Sequence, residues 1–395
     1  MSSTKLRFPD GRVAERPGTP YVMGGSELAT SLVIGTDPGR RALRPSRVAP
    51  DQLRGVLERV LLRSLQRPPC LIAFSGGRDS AGLLAAAARA ARRHGLPLPI
   101  PATYRFPGAS DVDESTWQDI VVRHLELDDW VRVDVTDELD IVGPVARPLL
   151  RRFGPMWPPN SHFAGLLVPH ARGGTFLTGV GGDELLEPVG HRAAALLSGH
   201  GRPRRGDLRV LAAAVAPRAL RIARGQRRIT PLPWLTPAAA PAYARARAQE
   251  ALEPVSWGRS VVDKWWRSRE RVALRTSIAA ACGDDVTVEH PFMDRDLLGA
   301  VAGALWRVGF PSRAAAMDLL FGDTLPAAVR KRSDKAAFFA PFINHHSRAF
   351  IAGWDGTGID EALVDVGALR ACWSADQVDA RSYALLQSAW RATVV

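Results

Sequence analysis

Hydrophobic and polar positions along residues 51–200 predict strands that alternate with helices. Leucine and valine recur with a helical period over residues 51–66, whereas CLIAF at 70–74 is a short, continuous apolar run typical of a buried parallel strand. Further strands are predicted at 102–106, 130–135 and 174–179, and further helices at 79–94, 113–126, 141–152, 161–172 and from about residue 183. The alternation predicts an α/β fold, a doubly wound parallel sheet covered by helices on both faces.

The pattern changes on either side of this region. Residues 1–50 are rich in Gly, Pro and Arg and predict an irregular N-terminal extension. From about residue 250 the strand signal fades, and helical patterns occur at 261–282, 294–306, 312–321 and 376–392. We therefore divide the chain into an extension (1–50), an α/β half (51–200), a basic Arg/Pro-rich insertion (201–249) and a mostly helical C-terminal part (250–395).

Composition narrows the class of protein. The three cysteines, Cys70, Cys282 and Cys372, are far apart and form no CxxC pair, which argues against a disulfide scaffold, a zinc knuckle or a thiol-relay enzyme. The first residues lack the apolar core of a signal peptide, and no run of ~18 apolar residues occurs. We expect a soluble cytoplasmic protein.

The net charge of +12 is unevenly distributed along the chain. Residues 201–249 contain eleven arginines and a single acidic residue, Asp207. A basic stripe of this kind binds nucleic acid, an anionic peptide or lipid headgroups, and it also occurs as a solvated helical insertion without a partner. The sequence leaves these alternatives open.

The stretch SGGRDS, residues 75–80, lies between the first predicted strand and the helix that follows it. Gly76 and Gly77 allow a tight turn in which backbone N–H groups approach a ligand, and the start of the helix provides further unpaired N–H groups. The hydroxyls of Ser75 and Ser80 can donate hydrogen bonds to phosphate oxygens. Because Asp79 would repel a bare phosphate, its presence indicates a Mg²⁺ ion between them. A Gly-Gly turn capped by Asp79 is the structural alternative.

A second glycine-rich stretch, LTGVGGDELL at 177–186, also joins a strand to a helix. Asp183 and Glu184 suit the first turn of a helix for reasons of stability alone. The carboxyl ends of parallel strands meet at one edge of a sheet, however, and we expect Asp79 and Asp183 to face each other there. Two carboxylates and the oxygens of a triphosphate are suitable ligands for Mg²⁺.

These stretches together resemble a known family. SGGRDS resembles the pyrophosphate loop of the ATP pyrophosphatases, and LTGVGGDELL resembles the corresponding element of the synthetase domain of asparagine synthetases. Two further stretches, DVDESTWQDIVVRHLEL at 111–127 and LPAAVRKRSDKAAFFAPF at 325–342, are similar to later elements of that domain. The four motifs occur in order over about two thirds of the chain. The resemblance implies an α/β sheet of ATP pyrophosphatase type.

The resemblance also implies a reaction, cofactors and site residues. The implied reaction is the ATP-dependent adenylation of a carboxylate, followed by attack of an amine, with AMP and pyrophosphate as products. By motif position, pyrophosphate would be bound by Ser75, Gly76, Gly77, Asp79 and Ser80, with Gly179 near the ribose and Mg²⁺ held by Asp79 and Asp183. Lys335, with Arg332 behind it, would neutralise charge on the α-phosphate. A solvated basic run is the alternative for this last segment.

The chain departs from asparagine synthetases in several places. Ser2 follows Met1, where glutamine-dependent members have a cysteine nucleophile, and only about 50 residues precede the synthetase part, so we expect no glutaminase activity. Val180 stands where the family has an acid or a tyrosine, and it can neither accept nor donate a proton. Thr287 and Glu289 replace the acid and the arginine of a further family element. The candidate bases for the amine, which the sequence does not rank, are Glu184, Glu187 and Asp113.

Four functions are compatible with these features. The first is a stand-alone amide ligase that closes lactams or macrolactams in natural-product biosynthesis, as lasso-peptide cyclases do, with a peptide or carrier protein held at residues 201–249. The second is asparagine synthesis from ammonia, which Val180 disfavours. The third is a tRNA-modifying enzyme, which the basic insertion favours and the second glycine-rich stretch does not. The fourth is a non-catalytic scaffold that retains the fold.

Overall fold

A five-stranded, all-parallel sheet forms the centre of the protein. The computed structural model describes residues 20–37, 41–107, 114–186, 192–197, 204–252, 254–332 and 342–394. The strands are β1 (Cys70–Ala73), β2 (Ile100–Arg105), β3 (Val131–Asp134), β4 (Thr175–Leu177) and β5 (Thr287–Glu289). Their order across the sheet is β3-β2-β1-β4-β5, so the predicted α/β fold with a parallel sheet is confirmed.

Helices surround the sheet and form most of the C-terminal part. Within the described residues, the α-helices are α1 (Ser26–Thr30), α2 (Leu53–Leu65), α3 (Arg78–His94), α4 (Ser115–His124), α5 (Ala146–Phe153), α6 (Gly182–Leu186), α7 (Arg192–Leu197), α8 (Asp207–Val215), α9 (Arg218–Gln226), α10 (Ala240–Glu250), α11 (Trp257–Ser260), α12 (Arg269–Cys282), α13 (Arg295–Ala304), α14 (Arg313–Phe321), α15 (Ala327–Arg330), α16 (His345–Gly353), α17 (Val366–Ser374) and α18 (Tyr383–Val394). Among them, none combines the length and the apolar character that crossing a bilayer requires.

The structure corrects the sequence prediction in two places. The strand β5 was not predicted, because its three residues TVE carry no apolar run, and its identity as a strand comes from pairing with β4 (Thr175 opposite Thr287). The single helix predicted at 161–172 is two short 3-10 helices, Ser161–Ala164 and Val168–Ala171. Gly165 and Pro169 interrupt the α-helical hydrogen-bond pattern there.

Both faces of the sheet are buried. Successive side chains of a strand point to opposite faces, and accordingly Cys70 and Ile72 join the core cluster that contains α2, α3, α13 and α14, whereas Leu71 joins the cluster on the other face, which contains the end of α12. This double burial explains why the central strand β1 reads as a continuous apolar run. It also fixes the register of the strands and the positions of the loops that follow them.

A second helical core lies in the C-terminal part. Its largest buried side chains are Trp234, Trp354, Trp373 and Trp390, which come from the insertion and from helices α16 to α18. Residues of the N-terminal extension pack on the same core: Trp234 donates a hydrogen bond from its indole nitrogen to the carbonyl of Ala29 at 2.9 Å. The described part of the extension is thus tied to helices that are remote in sequence.

We predict that a methyl group at Gly82 in α3 destabilises the protein, because a Cβ there would lie 2.7 Å from the ring of Phe321 in α14. Gly82→Ala should lower the free energy of unfolding by about 1–3 kcal/mol in chemical denaturation, the usual cost of overpacking a core. Gly55→Ala in α2 is the matched control, since its Cβ would meet only the end of Arg59, 3.8 Å away. That change should stabilise the helix by up to ~1 kcal/mol. Equal changes in unfolding free energy for Gly82→Ala and Gly55→Ala would contradict the unfavourable contact with Phe321.

Candidate active site

The order of the strands defines the position of the candidate site. From β1 the chain moves outward through β2 to β3, and it then returns to the other side of β1 with β4 and β5. The loops after β1 and β4 therefore leave the sheet at neighbouring positions and in opposite directions. In open α/β sheets, ligands bind in the crevice at such a point.

The loop after β1 is organised by its own serines. Gly76 has φ +88°, a conformation that favours glycine. The hydroxyl of Ser75 accepts a hydrogen bond from the backbone N–H of Gly77 at 3.3 Å and lies 3.2 Å from the hydroxyl of Ser80, which donates to the carbonyl of Gly77 at 3.1 Å. Helix α3 begins at Arg78, and the N–H groups of its first turn have no partner within the helix.

Helix α4 supports this loop from one side. Gln118 donates from its side-chain amide to the carbonyl of Ser75 at 3.1 Å. A Cβ at Gly76 would lie 3.1 Å from the Cβ of Glu114, so the backbone of the loop and the start of α4 are in close contact. The loop is therefore held in place by a helix on which the resemblance placed no binding residue.

Arg332 forms a buried ion pair with Glu114. Its Nη2 lies 2.7 Å from Oε1 of Glu114, its Nη1 contacts the other carboxylate oxygen, and its guanidinium stacks 4.7 Å above the ring of Trp117. Nη1 also lies 3.4 Å from the carbonyl of Gly76. The predicted role of Arg332 beside the α-phosphate stays a prediction, because its described contacts are with α4 and the carbonyl of the loop. Lys335 lies outside the described residues.

The loop after β4 closely approaches the start of α3. A Cβ at Gly179 would lie 3.4 Å from the backbone nitrogen of Ser80, and a Cβ at Gly182 would lie 2.7 Å from Cγ of Asp79. Gly181 has φ +91°. These glycines thus allow the two loops to meet without intervening side chains.

Arg313 of α14 connects the two aspartates predicted to hold a metal. Its Nη2 contacts Oδ1 of Asp79 and lies 3.5 Å from Oδ1 of Asp183, and its Nη1 lies 3.2 Å from the carbonyl of Gly182. The side chain of Arg313 is 8% exposed. One positive charge therefore links the start of α3 to the start of α6. Sequence reasoning missed this residue, and its place at a helix start was no signal, because five other described helices also begin with arginine.

The two carboxylates fit a cation. Oδ1 of Asp79 and Oδ1 of Asp183 converge on the same guanidinium nitrogen, so both can share one positive charge. Carboxylate oxygens are the ligands that Mg²⁺ prefers. The donor chemistry of the two carboxylates is thus compatible with Mg²⁺, whereas the positive charge that both contact in this structure is Arg313. The metal-binding role of Asp79 and Asp183 stays a prediction.

The segment of β5 borders the second loop. The hydroxyl of Thr178 lies 2.6 Å from Nδ1 of the buried His290, and burial, with Arg275 nearby, lowers the pKa of His290 to about 3. Glu289 accepts a hydrogen bond from Ser64 of α2 at 3.0 Å, and burial raises its pKa above the ordinary value. The side chain of Glu289 thus contacts α2. Val180, in the loop after β4, packs among apolar side chains on one face of the sheet.

The candidate bases for the amine are only partly described. Glu184 forms an ion pair with Arg271 of α12 at 2.5 Å and is therefore already engaged by a cation. Asp113 and Glu187 lie outside the described residues. The contacts of Glu184 do not favour it as the base.

Two histidines at the start of α16 face a carboxylate. Nδ1 of His345 and Nε2 of His346 lie 2.9 Å and 3.3 Å from the same oxygen of Asp137, at the start of α16. Their ring centroids lie 3.9 Å apart, and the ring planes are tilted by 39°. No local pattern indicates this cluster, because Asp137 is remote in the chain from both histidines.

A parallel sheet with two glycine-rich loops at its switch point is the arrangement typical of nucleotide-binding α/β proteins. Residues 52–392 match the family model described as asparagine synthase, and the chain belongs to that family. A comparison with curated proteins found none that matches. As a member of this family, the protein is an ATP-dependent ligase.

We predict that removal of the Arg313 charge destabilises the fold, because the Asp79 carboxylate would then be largely buried beside Asp183 without this cation. Arg313→Met should lower the free energy of unfolding by roughly 3 kcal/mol, the scale for breaking a buried ion pair. Adding Asp79→Asn should recover part of the loss. Arg93→Met is the control, since the side chain of Arg93 is 62% exposed and its partner Glu58 also contacts Arg89 and His94. Its removal should cost under ~1 kcal/mol. Similar losses of unfolding free energy in Arg313→Met and Arg93→Met would contradict a stabilising ion pair between Arg313 and Asp79.

We also predict acid sensitivity from His290. Its pKa in the folded state, about 3, is below the ordinary value of 6.5, so the unfolded chain binds a proton that the native chain does not. The contribution of His290 to the free energy of unfolding is fully present above about pH 6.5. It falls by up to ~1.4 kcal/mol per pH unit as the pH drops towards 3. In urea unfolding, His290→Gln should show a shallower loss between about pH 6 and pH 4. His124 is exposed, so His124→Gln should show the same dependence of unfolding free energy on pH as the parent. The same dependence in His290→Gln as well would exclude His290 as the cause.

Proposed function

We propose that the protein is an AMP-forming amide ligase, which adenylates a substrate carboxylate and transfers the acyl group to an amine. The observation that carries this proposal is the convergence of Asp79 and Asp183 on one positive charge at the switch point of the sheet. Such a site matches the need of adenylyl transfer for positioning and for charge stabilisation. Family membership supports the use of ATP.

The proposed reaction has two steps. A carboxylate oxygen of the substrate attacks the α-phosphorus of ATP, and the bond from that phosphorus to the oxygen bridging to the β-phosphate breaks, which releases pyrophosphate. The amine nitrogen then attacks the acyl carbon, the bond to the adenylate oxygen breaks, AMP leaves, and the amine loses a proton. The amide is the product.

The chain's own residues have distinct parts in this proposal. Ser75, Ser80 and the backbone N–H groups at the start of α3 would bind the pyrophosphate oxygens. Asp79 and Asp183 would hold Mg²⁺, which when bound neutralises charge on the phosphate oxygens. Gly179 would let the ribose approach the backbone. Lys335 would stabilise the charge that develops at the α-phosphate.

The amine half of the site supports an acceptor other than ammonia. Val180 lies where a proton acceptor would be needed to activate ammonium, and its side chain packs with apolar neighbours. A substrate that carries its own amine nearby would gain from proximity instead. We therefore propose lactam or macrolactam closure, in natural-product biosynthesis, in preference to asparagine synthesis.

Hydroxylamine trapping tests the adenylation step. With ATP, Mg²⁺ and a panel of acids (aspartate, glutamate, N-acyl amino acids and peptides ending in either), we expect hydroxamate and pyrophosphate to form with at least one acid. Asp79→Asn and Lys335→Ala should each lower this rate by about 100-fold or more, the scale for loss of one charge-stabilising group. Lys331→Ala, an exposed neighbour of Lys335 in sequence, is the matched control and should retain the rate.

Other results would favour the alternatives. Asparagine formation from aspartate and ammonium would favour asparagine synthesis, and turnover only with tRNA would favour RNA modification. ATP binding, measured by calorimetry, that is unaffected by Asp79→Asn, together with no pyrophosphate release from any acid, would count against the ligase and favour a scaffold.

A further inference from the structure

Helices α8 and α9 of the basic insertion bury none of their residues. Leu208, Leu211 and Val215 recur at intervals of three and four along α8 and therefore share one face of the helix. Leu208 is 83% exposed and Val215 69%, and Leu220 of α9 adds a further 43% exposed side chain. The apolar side chains at the two ends of this stripe thus face solvent, and Leu211 between them is half-buried.

Arginines surround this stripe. Arg204, Arg205, Arg209 and Arg218 are exposed around α8 and the start of α9. Asp207, the acid among these residues, is engaged through both carboxylate oxygens by Arg192, at 2.6 Å and 3.0 Å. The surface is therefore apolar along its centre and strongly positive at its margins.

A shallow groove adjoins α9. It has a volume of about 520 Å³ and lies between α9 and α10, with apolar walls from Ala223, Ile229, Pro231 and Ala244 and a basic margin at Arg227. Gln226 donates to the carbonyl of Pro241 across one side of it, at 3.4 Å. A shallow apolar groove with a basic edge can accept protruding apolar side chains of a peptide.

The aromatic residues of the insertion distinguish among possible partners. Residues 201–249 contain Trp234 and Tyr243, and both are buried in the helical core. Nucleic acids bind by stacking their bases on exposed aromatic rings or by phosphate contacts, which gain nothing from exposed leucine and valine. Interfacial membrane helices combine Leu with Trp or Phe on their apolar face. Helices α8 and α9 contain no aromatic residue, so the aromatic contribution to either mode of binding is absent there.

We propose that α8, α9 and the adjoining groove bind an acidic amphipathic helix of a peptide or protein partner. Apolar side chains of the partner at three- and four-residue spacing would cover Leu208 and Val215, and its flanking carboxylates would pair with the arginines. Such complementarity steers association and sets the register of the partner. That this partner carries the acyl substrate rests on the proposed ligase function, whereas the binding itself does not.

A labelled synthetic peptide tests the surface without ATP or turnover. The probe is a helix of about 18 residues with leucine at helical spacing and glutamate on both flanks, and the control probe has lysine in place of glutamate. In fluorescence anisotropy we expect saturable binding of the acidic probe that weakens strongly from about 50 to about 200 mM salt. Leu208→Glu and the pair Arg205→Glu/Arg209→Glu should each weaken it by roughly tenfold or more.

Matched controls exclude general effects of charge and folding. Leu98→Glu and Arg295→Glu place the same changes at other exposed positions and should leave the affinity unchanged. Thermal unfolding of every variant should match that of the parent, since the altered residues are exposed. Parent-like binding by Leu208→Glu, or no binding of the acidic probe, would overturn the proposal. Binding of phosphatidylglycerol vesicles or of tRNA instead, lost in the same variants, would assign the surface to a membrane or to RNA.

A ligase that adenylates acids while the acidic probe fails to bind would separate the two proposals. That result would support the proposed reaction and overturn the proposed docking surface. Saturable probe binding by a protein that adenylates no acid in the panel would support the docking surface and count against the proposed reaction.

Discussion

The geometry of the candidate site depends on the guanidinium of Arg313. Two carboxylates that face the same crevice repel each other, and one of them, Asp79, is largely withdrawn from water, so a cation between them lowers the free energy of the arrangement. Arg313 begins α14, and α14 packs through Met317 and Phe321 into the core cluster beneath the sheet. The position of this charge is thus set by the packing of the hydrophobic core, and the core in turn determines how closely the two loops can approach.

A second arginine has a similar effect on the other side of the first loop. Arg332 neutralises the buried Glu114 and contacts the carbonyl of Gly76, while Gln118 of the same helix holds the carbonyl of Ser75. The two glycine-rich loops come from the first half of the chain, whereas both arginines come from the second. The site therefore forms only when the C-terminal helices are docked, which couples folding of the whole chain to the preparation of the crevice.

Local patterns carried most of the correct predictions. The strands β1 to β4, the helix that begins at Arg78 and the glycine-rich loops are each encoded by neighbouring residues, since apolar runs, glycines and helix starts act over a few positions. The contacts that sequence reasoning missed join distant positions. Asp79 and Arg313 are 234 residues apart, Glu114 and Arg332 are 218 apart, and β5 is a strand because β4 lies beside it. Hydrophobic periodicity does not encode such pairings. The place of Arg313 at a helix start was no local sign of one either, since α3, α9, α12 and α13 also begin with arginine.

The exposed helices α8 and α9 have a consequence for how this protein can evolve. Because none of their residues is buried, substitutions there change the free energy of folding little. The strands and arginines of the crevice have no such freedom, since each is fixed by neighbours on several sides. Selection can therefore remodel the outer helices from one lineage to another, and acquire or exchange binding partners, while the catalytic framework is inherited unchanged.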